Sequence, residues 1–535
     1  MDHTSLKNRT YVIMITIVAT LGGLLFGYDT AVISGTVSSL KSFFTAPLMA
    51  NPELAARVIH EYRILVTLCF LLVVILLNWI SFKLFGREKG MLYNVFIVLT
   101  GLLIWHTQFW RSTSELSPEI INSINGFTIS SALIGCIIGG SLGGAISQNM
   151  GRKKGLLLAA LLLIISAIGS AIPDRICIPG TEVITSFIFY RVIGGIGVGI
   201  ASMLSPMYIA EIAPAQKRGN LVSWNQFAII FGMLVVYFVN WGIARNGNDS
   251  WLHAIGWRWM FASEIVPATL FFVLLFLVPE SPRFLVLQEK TDKALSLLSR
   301  INGIDKAKAI MQEIHESFKE KTAPWLSFGG LLIVVGVLLS VFQQFVGINV
   351  VLYYAPEIFK NMGSNTDTSL LQTIIVGAVN LSFTILAIFT VDRFGRKPLM
   401  IVGALVMSAS MFALGFSFYF QRVGLSSLIF MLTYVAGFAF SWGPVCWVLL
   451  SEIFPNSIKG ALSIAVAAQW LANLAVSWTF PMMNDNLWLT SIFNHGFSYW
   501  IYGVMGIMAA LFIYKLVPET KGKSLEEIEK LWKKN

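Results

Sequence analysis

Read for polarity alone, the chain divides into fourteen apolar runs of about twenty residues. They lie near 10–34, 64–82, 91–110, 125–147, 155–173, 183–209, 220–243, 260–279, 326–347, 368–390, 398–418, 426–450, 461–482 and 497–517. At about 1.5 Å of rise per residue, a helix of that length matches the hydrocarbon thickness of a bilayer, so the pattern predicts spanning helices. The one long interruption, 282–325, is dense in Lys and Glu. Its apolar residues recur at helical spacing with a stop at Asn302 and Gly303, which predicts short amphipathic helices against the membrane body. A flexible charged linker is the other reading.

Three loop motifs occur twice, in the same order. GRKKGLLL at 151 echoes GRKPLMIV at 395, MYIAEIAPAQKRGNL around Glu211 echoes VLLSEIFPNSIKGAL around Glu452, and PESPR at 279 echoes PETKG at 518. Offsets of 244, 241 and 239 residues are nearly constant, the signature of a duplicated bundle. The expected organisation is an N-terminal helical bundle over 1–281, a cytoplasmic helical linker over 282–325, and a C-terminal bundle with a short tail over 326–535. The copies differ in one respect. Asn349 precedes Gly395 by 46 residues, whereas Asp29, at the comparable place, precedes Gly151 by 122, an excess of 76. The runs at 64–82 and 91–110 account for it. Their connector FKLFGREKG carries Lys83, Arg87 and Lys89, so an inserted hydrophobic hairpin, about 56–118, is expected to enter and return without altering the orientation of later helices. A re-entrant or interfacial excursion is the alternative.

Polar residues inside apolar runs locate the candidate chemistry. The stretch VFQQFVGINVVLYYAPEIF, 341–359, places Gln343, Gln344 and Asn349 around Gly347. A buried amide without a partner costs kcal/mol, so the three must face a cavity or one another. On an unbroken helix Asn349 would point about 120° away from Gln343, while Asn349 and Tyr353 share a face. A bend near Gly347 would turn both pairs toward one volume, as in the discontinuous helices of transporters. Interhelical hydrogen bonding alone is the blander explanation. Asp29 is an acid inside the first run, at about 2.5 to 3.5 kcal/mol on insertion scales, which usually marks function. Arg191, opening YRVIGGIGVG, is its expected partner, and Glu264 in MFASEIVPA is a third ionisable group at membrane depth.

Composition narrows the function classes. With 56% hydrophobic and 12% charged residues and a mean hydropathy of +0.72, the chain reads as an all-α polytopic membrane protein. The apolar stretch from Tyr11 to Ile33 is too long for a signal-peptide core and lacks a following cleavage site, so it reads as a retained span. The net charge of +10 falls in short loops and the central segment. That is the positive-inside pattern with both termini cytoplasmic, in a cell (inner) membrane, and it argues against nucleic acid as a partner. Cys69, Cys136, Cys177 and Cys446 lie far apart, and neither HExxH nor GxxxxGK[ST] occurs. Disulfide, metal-centre, ATPase and enzyme readings therefore lack support, and no cofactor is expected.

The repeated motifs, together with GGLLFGYDTAVISG, YRVIGGIGVG, PESPR, QQFVGINVVLYYAPEIF and PETKG, resemble the sugar porters of the major facilitator superfamily, over nearly the whole chain apart from about 56–118. The resemblance implies the major facilitator fold, two pseudo-symmetric six-helix bundles, here with the extra two-helix hairpin after the first helix. It implies proton-coupled monosaccharide import by alternating access, D-xylose foremost, in a protein functional as a monomer in the lipid bilayer. A facilitative hexose or pentose uniporter and a transporter-like sugar sensor are the alternatives. Residue by residue, it assigns sugar hydrogen bonds to Gln226, Gln343, Gln344, Asn349, Trp447 and Gln469, with Phe26, Tyr353 and Trp470 as aromatic neighbours and Asn380 as a further polar one. Amides match hydroxyls that both donate and accept, and aromatic rings match sugar C–H faces, so elementary chemistry agrees. Gly443 and Pro444 would break the helix beside Trp447. Asp29 would carry the proton and Arg191 would modulate it.

The loop charges Arg152, Glu211, Arg218, Glu280 and Arg283, with Arg396, Glu452, Lys459 and Glu519, would pair across the cytoplasmic ends of the two bundles and latch the outward-facing state. Three departures stand out. Gln148 and Asn149 replace the usual Asp and Arg, which the second copy keeps as Asp392 and Arg393. Lys459 replaces Arg in a loop one residue short, just upstream of Gln469. Met233 stands where an amide is expected.

Overall fold

The computed structural model describes residues 3–106, 116–214, 217–317, 324–454 and 456–523, together with 527, 528 and 532. Among these residues every regular element is helical. The first half consists of α1 (His3–Val32), the broken helix α2 (Pro52–Ile104), α3 (Pro118–Asn149), α4 (Arg152–Ala171), α5 (Val183–Ile212), α6 (Arg218–Ala244) and α7 (Asp249–Leu277). Three short helices, α8 (Pro282–Leu287), α9 (Thr291–Asn302) and α10 (Ile304–Ser317), make the linker helical rather than extended, and Gly303 (φ 84°) separates the last two. The second half holds α11 (Gly330–Phe345), α12 (Ile348–Asn361), α13 (Thr366–Phe394), α14 (Arg396–Tyr419), α15 (Leu425–Phe440), α16 (Trp442–Ile453), α17 (Leu462–Asn484), α18 (Leu487–Phe493) and α19 (Phe497–Leu516).

Among the described residues thirteen helices are long and apolar enough to cross a membrane, against fourteen apolar runs in the sequence. The difference lies in the inserted hairpin. Its outgoing leg, Pro52–Gly86, is of full length, while the described residues of the return leg contain the shorter apolar helix Tyr93–Leu103. The legs are antiparallel. Phe85 meets Tyr93 at 4.6 Å between ring centroids, Trp105 donates from Nε1 to Thr67 Oγ1 at 3.1 Å, and the chain reverses at Gly86, whose φ of 75° suits glycine. The outgoing leg begins twelve residues before its apolar run, capped by the Asn51 side chain on Leu54 N–H.

Two broken spans shape the second half. Gly347, at φ 93° and ψ 17°, separates α11 from α12, and a Cβ there would lie 2.7 Å from the Tyr502 ring. The bend expected at Gly347 is thus present. The other break falls at Ser441, between α15 and α16, upstream of the expected Gly443 and Pro444. Pro444 instead occupies the first turn of α16, where its missing N–H is harmless.

In this arrangement the charged loop motifs pair within each half. In the first, Arg152 Nη2 donates to Glu211 at 2.7 Å, and Glu280 accepts from the backbone N–H groups of Arg152 and Lys153 at the start of α4. In the second, Arg396 Nη2 donates to Glu452 at 2.9 Å, and Glu519 accepts from Arg396 and Lys397 N–H at the start of α14. A helix N-terminus with unpaired N–H groups is a natural carboxylate site, and the Glu reaches it from the segment that follows the last helix of its own bundle. Arg283 bonds Ser317 in the linker, Arg218 is exposed, and the Lys459 and Asp392 side chains lie outside the described residues. Contacts between the halves gather at the opposite end: Lys41 to Asp485 at 2.9 Å, Lys360 to Ser38 at 3.0 Å, Trp241 to Asp367 at 3.0 Å, and Trp478 to Ser123 O at 3.0 Å. The bundle is closed there.

Two outcomes follow from this geometry. Gly347→Ala should destabilise the protein by about 1–3 kcal/mol, because the left-handed backbone and the Tyr502 ring both oppose a Cβ. A melting curve in detergent that matches the parent would show that the break does not require glycine. For Glu519, partial burial favours the neutral acid, but backbone N–H donors from Lys521, Arg396, Lys397 and Thr520 outweigh it and hold the carboxyl below its ordinary value. A carboxyl lower in the folded than in the unfolded state stabilises above its unfolded value and loses that contribution as pH falls through the folded one. The melting difference between the parent and Glu519→Gln should therefore be largest near neutrality and shrink below about pH 4.3; a difference that grows in acid would refute this role.

Candidate functional site

The break at Gly347 brings the amides together. Gln343 and Gln344 end α11, Asn349 opens α12, and Gln469 reaches in from α17. Gln469 donates to Gln343 Oε1 in a short contact, Gln344 Nε2 donates to the same oxygen at 3.3 Å, and Asn349 Nδ2 donates to Gln344 Oε1 at 2.5 Å. Gln343 Nε2 donates to the carbonyl of Trp442, the first residue of α16, at 3.2 Å. Gln343, Gln344 and Gln469 are buried, yet Gln469 Oε1 has no partner among the described residues. The shortened loop around Lys459 therefore does not displace Gln469 from the cluster.

The other predicted positions are spread around this core. Phe26 of α1 and Trp470 of α17 meet at 5.7 Å, an aromatic contact between the two halves, and Asn380 is buried on α13. Tyr353 is buried on α12 beside Asn473, whose Oδ1 accepts from Ser477 at 3.0 Å. Gln226 is half-buried on α6 and makes no hydrogen bond to the amide network, and Met233 is buried two turns further along. Trp447 also stands apart, 40% exposed on α16. The tryptophan of this segment that joins the network is Trp442, through its backbone, with its indole donating to Met400 O at 2.9 Å. Trp442 and Asn473 were not anticipated. For Asn473 the signal was available: it lies four residues after Gln469, on the same helical face.

A second polar centre sits in the first half. Arg191 Nη1 donates to Asp29 Oδ1 at 2.6 Å, and Nη2 donates to the Asp29 carbonyl at 3.2 Å. Asp29 is 0% and Arg191 1% exposed. Glu264 is equally buried at the loosened turn of α7, within electrostatic reach of both. Among the described residues no other donor meets either of its carboxyl oxygens or Asp29 Oδ2, and the Glu264 and Asp29 carboxyls face each other. All three predicted ionisable groups are thus brought together. Close packing makes this possible: a Cβ at Gly195 would lie 1.8 Å from Ala132 O, so α5 fits against α3 only without one. Tyr353 lies within electrostatic reach of Asp29 and Arg191 as well as beside Asn473.

The arrangement offers neutral donors and acceptors on one side and a titratable pair on the other. Such a lining suits an uncharged, hydroxyl-rich ligand, since amides bonded to one another can exchange those bonds for hydroxyls at little net change. Two carboxyls and one guanidinium form a group that is neutral with one bound proton and carries one negative charge with none.

Comparison with known proteins agrees with this geometry. The family model described as sugar (and other) transporter matches residues 15–532. The D-xylose-proton symporter of Escherichia coli (strain K12) is 53% identical over 539 residues, covering 98% of this chain and 96% of that protein. The glucose facilitated diffusion protein of Zymomonas mobilis is 42% identical over 424 residues, covering 78% of this chain and 90% of that one. The inward open conformation of the xylose transporter XylE from E. coli superposes with a TM-score of 0.77 at 52% identity, covering 98% of this chain and 100% of that chain. The chain is a multi-pass membrane protein that belongs to the sugar transporter family and has its major facilitator fold.

Proposed function

We propose that this protein imports a monosaccharide, D-xylose foremost, together with a proton, by alternating access in the cell (inner) membrane. The observation that carries the reading is the fully buried Asp29–Arg191 pair with Glu264 beside it, two carboxyls and one counter-ion at membrane depth. A protonated Asp29 loses most of its attraction for Arg191. Proton binding thereby changes how α1 holds α5, and the preferred exposure of the cavity changes with it. Gln343, Gln344, Asn349 and Gln469 hold the sugar, and Gln226 and Trp447 approach it when the halves close. Phe26 and Trp470 stack on its apolar face.

The bodies that move are 1–281 and 326–535, joined by the linker 282–325, and one chain suffices. The positive-inside pattern places both termini in the cytoplasm, so the closed end bearing Lys41 and Asp485 faces outward and the structure represents the inward-facing arrangement. Facilitated diffusion without a proton is the second reading, favoured by the likeness to the glucose facilitator.

Uptake of labelled sugars into proteoliposomes, with and without an imposed pH gradient, separates the two. Symport requires accumulation above the external concentration only with the gradient; equal uptake with and without it would establish facilitation. Asp29→Asn should abolish that accumulation while leaving sugar exchange within about threefold of the parent, and continued uphill transport would defeat the assignment. Gln343→Ala should weaken exchange of sugar by about tenfold in apparent affinity, the loss of one or two hydrogen bonds of about 1 kcal/mol each. An unchanged apparent affinity would move the sugar elsewhere.

A further inference from the structure

The inserted hairpin touches both halves. At its outer end the outgoing leg is fixed to the first half: Arg57 Nε donates to Glu182 at 2.6 Å, Glu61 accepts from Glu182 N–H and from Thr185 Oγ1, and Tyr62 OH shares a 2.7 Å hydrogen bond with Ser123 Oγ. Ser123 in turn receives Trp478 Nε1 from the second half at 3.0 Å on its carbonyl, and Phe127 packs between Tyr62 at 5.6 Å and Trp478 at 5.0 Å. The leg therefore backs the residues that seal the closed outer end. At its inner end, seven residues before the Gly86 turn, Trp79 packs edge-on against Trp325 at 5.7 Å. Trp325 precedes α11 and lies against Gly460, between α16 and α17, so it moves with the second half.

We propose that the leg Pro52–Gly86 is an intramolecular brace that favours the inward-facing arrangement, holding the first half by its outer end and the second half through Trp79 on Trp325. The proposal rests on the alternating-access reading. Because the leg is fixed to the first half, rotation of the second half to open the outer seam must carry Trp325 away from Trp79 and Trp478 away from Ser123. A contact made in one arrangement and absent from the other shifts the balance between them by its own strength. The Trp pair is exposed at one edge, with Trp79 45% exposed, so its removal leaves the bundle core intact.

The test uses the full chain in right-side-out vesicles, with the exposed Cys177 changed to Ser and a reporter Ser38→Cys in the outer seam opposite Lys360. Labelling from outside by a membrane-impermeant maleimide reads how often that seam opens. Trp79→Ala should raise the labelling rate about two- to tenfold, the range an aromatic pair supplies, and Trp79→Phe should leave it within about twofold. Trp325→Ala should raise it equally, and Trp79→Ala should then add nothing. Unchanged labelling in Trp79→Ala, or a full further increase in the Trp325→Ala background, overturns the brace. Sugar exchange in the same vesicles reports the carrier reading separately: its absence from the parent would sink that reading, whatever the labelling shows.

Discussion

A bilayer core offers no water to a polar group, and this constraint governs everything else in the molecule. An amide, carboxyl or guanidinium at that depth must find another polar group or a ligand, and an exposed backbone carbonyl must do the same. The two polar centres are the result. Gln343, Gln344, Asn349 and Gln469 satisfy one another, and Asp29 satisfies Arg191. What these networks leave without a donor or acceptor among the described residues, Gln469 Oε1 in one and Asp29 Oδ2, Arg191 Nε and the Glu264 oxygens in the other, is where a hydroxyl or a proton has something to gain.

Duplication explains the symmetry of the scaffold, and divergence explains the chemistry. Each half ties the start of its fourth or fourteenth helix to a glutamate arriving from the end of the bundle, Glu280 on Arg152 and Glu519 on Arg396, with an Arg–Glu pair beside it. These ties stabilise each half as a unit, which is what a rigid-body rearrangement requires. The buried charges lie in the first half and the amides in the second. In the proposed cycle the proton binds the first half and most of the sugar contacts lie in the second, so the interface crossed by Phe26 on Trp470 is where the two would be coupled.

The hairpin departs from the symmetry. Most of its outgoing leg and return leg face outward with residues such as Ile75, Phe96 and Leu99, which suits hydrocarbon and would be a liability in water. Only the strip that includes Val58, Tyr62, Val66 and Cys69 is buried against the body.

Much of this was legible in the residues themselves. Apolar periodicity located the spans, constant offsets located the duplication, and one excess interval located the hairpin. Gly347 among three amides announced a broken helix, and an acid and an arginine at membrane depth announced each other. These are local or counting signals, and hydrocarbon enforces them one residue at a time. Tertiary structure alone decided that Arg152 meets Glu211 and Arg396 meets Glu452, that the second break falls at Ser441, that the Trp442 carbonyl meets Gln343, and that Trp79 reaches Trp325. Each of these depends on which surfaces meet across tens to hundreds of residues, and that is settled by the fit of whole helices, to which no single stretch of sequence holds the key.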